Sequence, residues 1–274
     1  MFYRKKSSKK SYKKKTSTSK KRCKVSQCIK KYVKATIHKN IENKQLDYIL
    51  AGSYMASYYK NTSLFTLSMI PYNQFNTTGS SVSTAQSSRI GNVVKTRKCI
   101  FSFALSPGPY DVVFNTKVVP QVVIMYFGKV KNAKPQVPTS TDYAKFFQSG
   151  TSTQAPTSTL LDAILVPNTD YFTIYKKLVF KVGFSGSYSP SATATANASW
   201  QYQLNNEYKM NIMRKLDLTK YCPKTLKFND TTTQPTNDGL FCMAWCVPAD
   251  ADYTTVGSRP LIIDYQLHYE YEDA

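Results

Sequence analysis

The chain of 274 residues has two histidines, His38 and His268, and four glutamates. So little histidine leaves few ways to build acid–base or nucleophilic catalysis. A Ser-His-Asp arrangement would have to use one of those two, and no Gly-x-Ser-x-Gly turn is present to hold the serine. The ten glycines are scattered, and none forms a phosphate cradle ahead of a lysine. Cys23 and Cys28 lack histidine partners or a second closely spaced cysteine pair, so zinc ligation is not indicated. The late acids Asp250, Asp252, Asp264, Glu270, Glu272 and Asp273 read as solvated surface groups rather than a catalytic pair. The expectation is a protein that is not an enzyme and needs no metal or cofactor.

Other scarcities bound the class. Glutamate is rare and neither alanine nor leucine is abundant, which argues against an all-helical core. No run approaches the ~18 apolar residues of a membrane span. The N-terminus is charged at once with no apolar stretch behind it, so no secretory leader is expected. The sequons at Asn61, Asn76, Asn197 and Asn229 then read as accidental, and the six cysteines as free thiols in a reducing compartment. Cys242 and Cys246 lie four apart in a strand-like run, which places both on one face, pointing into a core.

Against these absences stands a concentration of positive charge. Residues 1–34 contain fifteen lysines and arginines and no acid, leaving 22 basic against 16 acidic residues in 35–274. A packed domain cannot bury such a run. A free chain this basic binds polyphosphate by releasing condensed counterions, strongly and without reading sequence. The residues expected to meet nucleic acid are Arg4, Lys5, Lys6, Lys9, Lys10, Lys13, Lys14, Lys15, Lys20, Lys21, Arg22, Lys24, Lys30, Lys31 and Lys34. Lys20, Lys21, Arg22 and Lys24 also form a nuclear-targeting pattern. The plainer reading is a solvated solubility tail. Tyr3, Tyr12 and Tyr32 lie among the lysines, placed to stack on unpaired bases or simply to be solvated.

The arm changes character at Val25. From there Val25, Ile29, Val33, Ile37 and Ile41 recur every fourth residue, which is helical spacing. Such a helix could form on nucleic acid, touch a membrane, or dock its aliphatic stripe beneath a sheet. Residues 1–44 are expected to form the basic arm and 45–274 the folded domain. After Tyr48 the period becomes two. Phe65, Leu67 and Met69 alternate with Leu64, Thr66 and Ser68; Cys99, Phe101 and Phe103 share a face in the run 93–105; and 118–127 is nearly all apolar. Leu178, Phe180, Val182 and Phe184 alternate, as do Phe241, Met243, Trp245 and Val247. The last run sets Leu261, Ile263, Tyr265, Leu267, Tyr269 and Tyr271 against Asp264, Gln266, His268, Glu270 and Glu272. Roughly eight strands separated by long irregular loops predict an all-β antiparallel sandwich or barrel. The loops 131–159, 185–199 and 229–239 are candidates for a displayed outer surface.

Some residues carry a family resemblance. Ile41-Glu42-Asn43-Lys44 after the arm, Arg89-Ile90-Gly91-Asn92 opening a long strand, Asn168–Lys177 at a strand entry, and the ending Tyr269-Glu270-Tyr271-Glu272-Asp273-Ala274 come in that order. Together they resemble the capsid proteins of small circular, Rep-encoding single-stranded DNA viruses (the circovirus-like group). The arm departs from many of these in being lysine-rich. What the resemblance implies is a single eight-stranded jelly roll that assembles with copies of itself into an icosahedral shell of about sixty subunits (T=1). It further implies a single-stranded DNA genome as partner, contact with host nuclear import machinery, and locations in the virion and the host nucleus; the host receptor is not implied. The alternative is a monomeric β-barrel nucleic-acid-binding protein with a basic tail.

Overall fold

The computed structural model describes residues 26–40, 42–59, 64–70, 92–109, 113–115, 118–132, 137–183, 185–188, 200–203, 208–229, 235–250 and 258–273. The chain divides into two units, residues 1–40 and 41–274. In the first, one helix is described, α1 (Gln27–Asn40). In the second, the described strands are β1 (Glu42–Met55), β2 (Phe65–Ser68), β3 (Val93–Pro107), β4 (Gln121–Val130), β5 (Phe147–Ser149), β6 (Ser152–Gln154) and β7 (Phe172–Val182). They continue with β8 (Ser185–Tyr188), β9 (Trp200–Gln203), β10 (Ile212–Asp217), β11 (Thr225–Lys227), β12 (Phe241–Pro248) and β13 (Leu261–Asp273). A short helix α2 (Ser140–Tyr143) and a 3₁₀ turn (Leu160–Ala163) lie between β4 and β7.

Two antiparallel sheets carry the unit. One runs β1-β13-β3-β10, with β11 continuing beside β3; the other runs β2-β12-β4-β7. Since β10 and β11 fill one position in succession, both pairing with β3, the sheets hold eight positions. Numbered along the chain, these read 1-8-3-6 and 2-7-4-5. Successive strands thus cross between the sheets at every step but one, from the fourth position to the fifth, and the first and last strands lie side by side. That order is the jelly roll.

Alternation along each strand decides which side chains meet. Cys99, Phe101, Phe103 and Leu105 from β3, and Ile263, Tyr265, Leu267, Tyr269 and Tyr271 from β13, face Val123, Met125 and Phe127 of β4 and Cys242, Ala244 and Cys246 of β12. The shared inward face of Cys242 and Cys246 is as expected, and burial pushes both thiols far up in pKa. The other faces of β4 and β12 are buried too. Val122, Ile124, Tyr126, Met243, Trp245 and Val247 form a second core with Tyr143, Phe146, Phe147 and Phe172.

The connection between β4 and β7 therefore differs from the loose loop expected over 131–159. It lays Tyr143, Phe146 and Phe147 onto the sheet's outer face, with Phe146 edge-on to Trp245 at 5.8 Å between centroids. Three aromatics in a Ser/Thr/Gln-rich segment help anchor it, because each removes a large apolar area from water. Residues 185–188 pair with 200–203 as a two-stranded ribbon, where the sequence suggested only a small-residue stretch.

The start of the domain also differs from the sequence reading. β1 takes in Glu42, Asn43 and Lys44, which pair with Asp273, Glu272 and Tyr271. Lys44 is buried, so the folded unit begins within the stretch that the sequence reading left to the arm.

Candidate nucleic-acid interface

Of the basic residues expected to meet nucleic acid, Lys30, Lys31 and Lys34 fall on α1; Arg4 to Lys24, with the nuclear-targeting pattern, lie outside the described residues. Ser26 starts the helix. Its Oγ accepts from the Ile29 amide at 3.2 Å and its carbonyl from the Lys30 amide at 3.1 Å. At ~100° per residue Lys30 and Lys34 lie one turn apart on one flank, with Lys31 beside them. Ile29 and Val33 form the aliphatic stripe and are 55% and 47% exposed. Val25 and Ile41, the ends of the expected stripe, are outside the described residues.

No acid occurs in the first turn of α1. The helix sequence, Gln-Cys-Ile-Lys-Lys-Tyr-Val-Lys-Ala-Thr-Ile-His-Lys-Asn, contains none at all. Lys30 and Lys31 therefore sit at the positive end of the helix dipole without compensation. A phosphate there would relieve both repulsions, so the surface chemically suits a polyanion.

The domain presents a different electrostatic arrangement where β1, β13 and β3 run together. His268 on β13 has Nδ1 2.7 Å from Asp47 Oδ1 of β1, and Nε2 2.9 Å from Glu270 Oε1. Lys98 of β3 donates to the same Glu270 oxygen at 2.8 Å. Ionised carboxylates only accept, so both contacts are satisfied together when the ring carries two protons. The hydrogen bonds to Glu270 and Asp47 accordingly raise the His268 pKa above its ordinary value. The bonds from Lys98 and then His268 lower that of Glu270.

Arg97 pairs with Glu272 just beyond, and a cleft of about 430 Å³ opens between Asn43, Lys44, Gln45, Arg97, Glu270 and Tyr271. Cations and acids interleave here, so this face ties three strands together rather than attracting a polyanion. The sequence placed His268 on the polar face of the last strand, but Asp47 as its partner went unread. That pairing depends on a register between residues 221 positions apart.

Among the described residues no group of three or more His, Cys, Asp or Glu could hold a metal ion. Among them, too, no helix is long and apolar enough to cross a membrane.

The folded unit is thus an all-β antiparallel jelly roll, on the strand order of its two sheets. No family model matches the chain, and no curated protein matches it. A solved structure similar to it is a chain of Desmodium yellow mottle tymovirus, at 14% identity and a TM-score of 0.31, covering 85% of this chain and 82% of that one.

Proposed function

We propose that this chain is a viral capsid subunit that assembles with copies of itself and packages single-stranded DNA through its lysine-rich N-terminal arm. The observation that carries the reading is the joining of two parts: fifteen basic residues without an acid in 1–34, and a jelly-roll domain directly behind them. A jelly roll presents sheet edges and loops that can pack against copies, and its polycationic extension supplies countercharge for a confined genome. The resemblance to circovirus-like capsid proteins favours the smallest shell, of about sixty subunits. Lysines on phosphates position a nucleic acid without reading its bases, so packaging by the arm is blind to sequence. The same arm, through Lys20, Lys21, Arg22 and Lys24, addresses the nucleus.

The deciding experiment is negative-stain electron microscopy of the purified full-length protein, with absorbance at 260 and 280 nm on the same sample. Uniform closed particles with excess absorbance at 260 nm support the reading. A monodisperse species that stays monomeric at low and high salt with DNA added overturns it in favour of a monomeric nucleic-acid-binding protein.

A further inference from the structure

The positive charge of the folded unit is unevenly placed. Residues 172–227, from the start of β7 to the end of β11, hold nine lysines and arginines against two acids. The rest of 35–274 holds thirteen against fourteen, so this one stretch carries the whole excess. Topology gathers it on one side of the sandwich, because β7 is an edge of one sheet and β10 an edge of the other.

Contacts at both ends hold these two edges alongside each other. At one end the Lys209 amide donates to the Lys181 carbonyl at 3.2 Å, and the Gly183 amide to the Lys209 carbonyl at 2.9 Å. At the other, Tyr221 just past β10 stacks on Tyr175 of β7, with 5.4 Å between centroids and 15° between planes. Between them Phe180 of β7 meets Phe103 of β3 edge-on at 5.7 Å, and Phe103 is the register partner of Arg214. The seam so defined runs along β7 from Tyr175 to Val182, roughly 24 Å at ~3.4 Å per residue.

Cations follow both edges. Lys181 and Lys209 stand at one end, Arg214 and Lys215 midway, Lys176 and Lys220 at the other; all are exposed except the half-buried Lys176. Lys176 and Arg214, opposite Phe127 and Phe103, point to the seam side of their strands, and Lys181 and Lys215 to the outer shoulders. Lys177 is set apart, because its Nζ donates to the Ala163 carbonyl at 2.6 Å. No acid occurs among the described residues from 172 to 216, and Glu207 lies outside them. Asp217 falls on the outer face opposite Ile100, where it accepts from the Thr219 amide at 2.9 Å. The seam therefore differs from the β1–β13–β3 face, where cations and acids interleave. A row of one sign without interleaved acids raises a local potential that draws the opposite charge.

We propose that this seam is a second nucleic-acid contact, on the domain rather than the arm, along which a single strand lays its phosphates. The inference rests on the reading of the chain as a nucleic-acid-packaging subunit. Apolar groups among the cations favour nucleic acid over other polyanions. Met210 and Met213 are 52% and 74% exposed. The half-buried rings of Tyr208 and Tyr221 lie beneath Lys181 and Lys220, at 5.7 and 4.7 Å from Nζ to centroid. Unpaired bases have apolar faces for such groups to cover, and a sulfated polysaccharide has none. A cationic track with aromatics along it is how single strands are held without sequence preference.

The test is ultraviolet cross-linking of the full-length protein to an oligothymidylate at low salt, with the cross-linked peptides mapped by mass spectrometry. The mapping needs no substitution. Beside it, the salt dependence of binding is measured for a variant combining Lys181→Gln, Lys209→Gln and Lys215→Gln. A control of equal charge combines Lys95→Gln, Lys131→Gln and Lys145→Gln, also exposed but off the seam. Melting temperature checks that both fold. The expected result is cross-links within 172–221 as well as in the arm. The slope of log affinity against log salt should fall by about 2 in the seam variant, at ~0.7 per contact on single strands, and stay near wild type in the control. Cross-links confined to the arm, with equal slopes in the two variants, overturn the seam and leave the packaging reading standing. Full-length protein that neither binds nor cross-links to the oligonucleotide sinks both. A seam variant that loses retention on heparin while its oligonucleotide slope is unchanged overturns the proposal in favour of a sulfated polysaccharide.

Discussion

Trp245 and Asp162 are joined by a hydrogen bond of 3.0 Å from the indole Nε1 to the carboxylate Oδ2, inside the second core, where both side chains are buried. The bond crosses from a central strand to the 3₁₀ turn of the long connection. Thr157 and Ser158 complete the shell: the Thr157 amide and hydroxyl donate to Oδ1 at 2.7 and 2.6 Å, and the Ser158 amide to Oδ2 at 3.1 Å. Four donors aimed at one carboxylate make Asp162 the polar pin that fixes the connection to the sheet.

Removing that carboxylate strands the buried donors of Trp245 and Ser158 and takes a partner from the part-buried Thr157. Asp162→Ala should lower stability by about 3 kcal/mol or more, since each unsatisfied buried donor costs about 1–3 kcal/mol. Asp162→Asn keeps the shape but opposes its amide hydrogens to N–H donors, and should recover only part of the loss. Urea midpoints of the folded domain check the order wild type, Asn, Ala. Limited proteolysis between 131 and 171 should accelerate in the same order. An unchanged midpoint in the Ala variant would show that the connection is held by its aromatics alone.

How far the sequence led is visible in such contacts. The strands with strong alternation or continuous apolar runs, β3, β4, β12 and β13, were legible, because one or both faces are buried and the period of two shows it. β1 and β10 were not, since Lys44, Asp47, Arg214 and Lys215 interrupt their patterns while backbone pairing still holds them. The second core was hidden for another reason. The sequence set Trp245 and Met243 on the face opposite Cys242 and Ala244, and only tertiary structure says that Phe146 and Phe147 cover them. The arm's charge was legible from composition, and Lys30, Lys31 and Lys34 on a helix from spacing. The partners of His268 were not, because register across β1 and β13 leaves no local mark.

A close backbone approach yields a second prediction. Gly128 sits at the bulge between β4 and β7, where an added Cβ would lie 2.5 Å from the Thr173 carbonyl oxygen and 3.0 Å from Ile174 Cδ1. Backbone, not a flexible side-chain tip, blocks the site. Gly128→Ala should therefore cost about 1–3 kcal/mol, as overpacking of cores does. Thermal unfolding of the variant measures it, and a melting temperature equal to wild type would mean that β7 slides aside freely.

The His268 cluster makes stability depend on pH in a defined sense. Its pKa is raised in the fold, so its contribution is complete below its ordinary value of 6.5 and is lost as pH rises through the folded value. Glu270 is lowered, so its contribution is present above its ordinary value of 4.5 and is lost as pH falls through the folded value. The two overlap between pH 4.5 and 6.5, where the β1–β13–β3 junction should be tightest. Urea midpoints from pH 4 to 9 should fall on the alkaline side for wild type and flatten there in His268→Gln. Ring-proton NMR titration of His268 should give a midpoint above that of a free histidine; one at or below it would remove the paired-carboxylate account.

The arm's helix is the last element whose behaviour the physics constrains. α1 has fourteen residues, close to the ~12–15 below which an isolated helix is marginal in water. Lys30 and Lys31 sit toward the dipole end that repels them, and the helix has no acid to offset them. On its own the segment should be weakly helical, and phosphate contact should shift it toward helix. Circular dichroism of a peptide spanning 24–41 should gain helical signal on adding a single-stranded oligonucleotide, and lose it again at high salt. In the full chain, changing Lys30, Lys31 and Lys34 together to Gln should reduce the slope of log affinity against log salt by about 2, at ~0.7 per contact on single strands. The reduction should be the same for unrelated sequences, because point charges on phosphates read no bases. A slope that stays unchanged would confine the arm's nucleic-acid contact to the residues ahead of Lys24. A loss that depends on sequence would show instead that the helix reads bases.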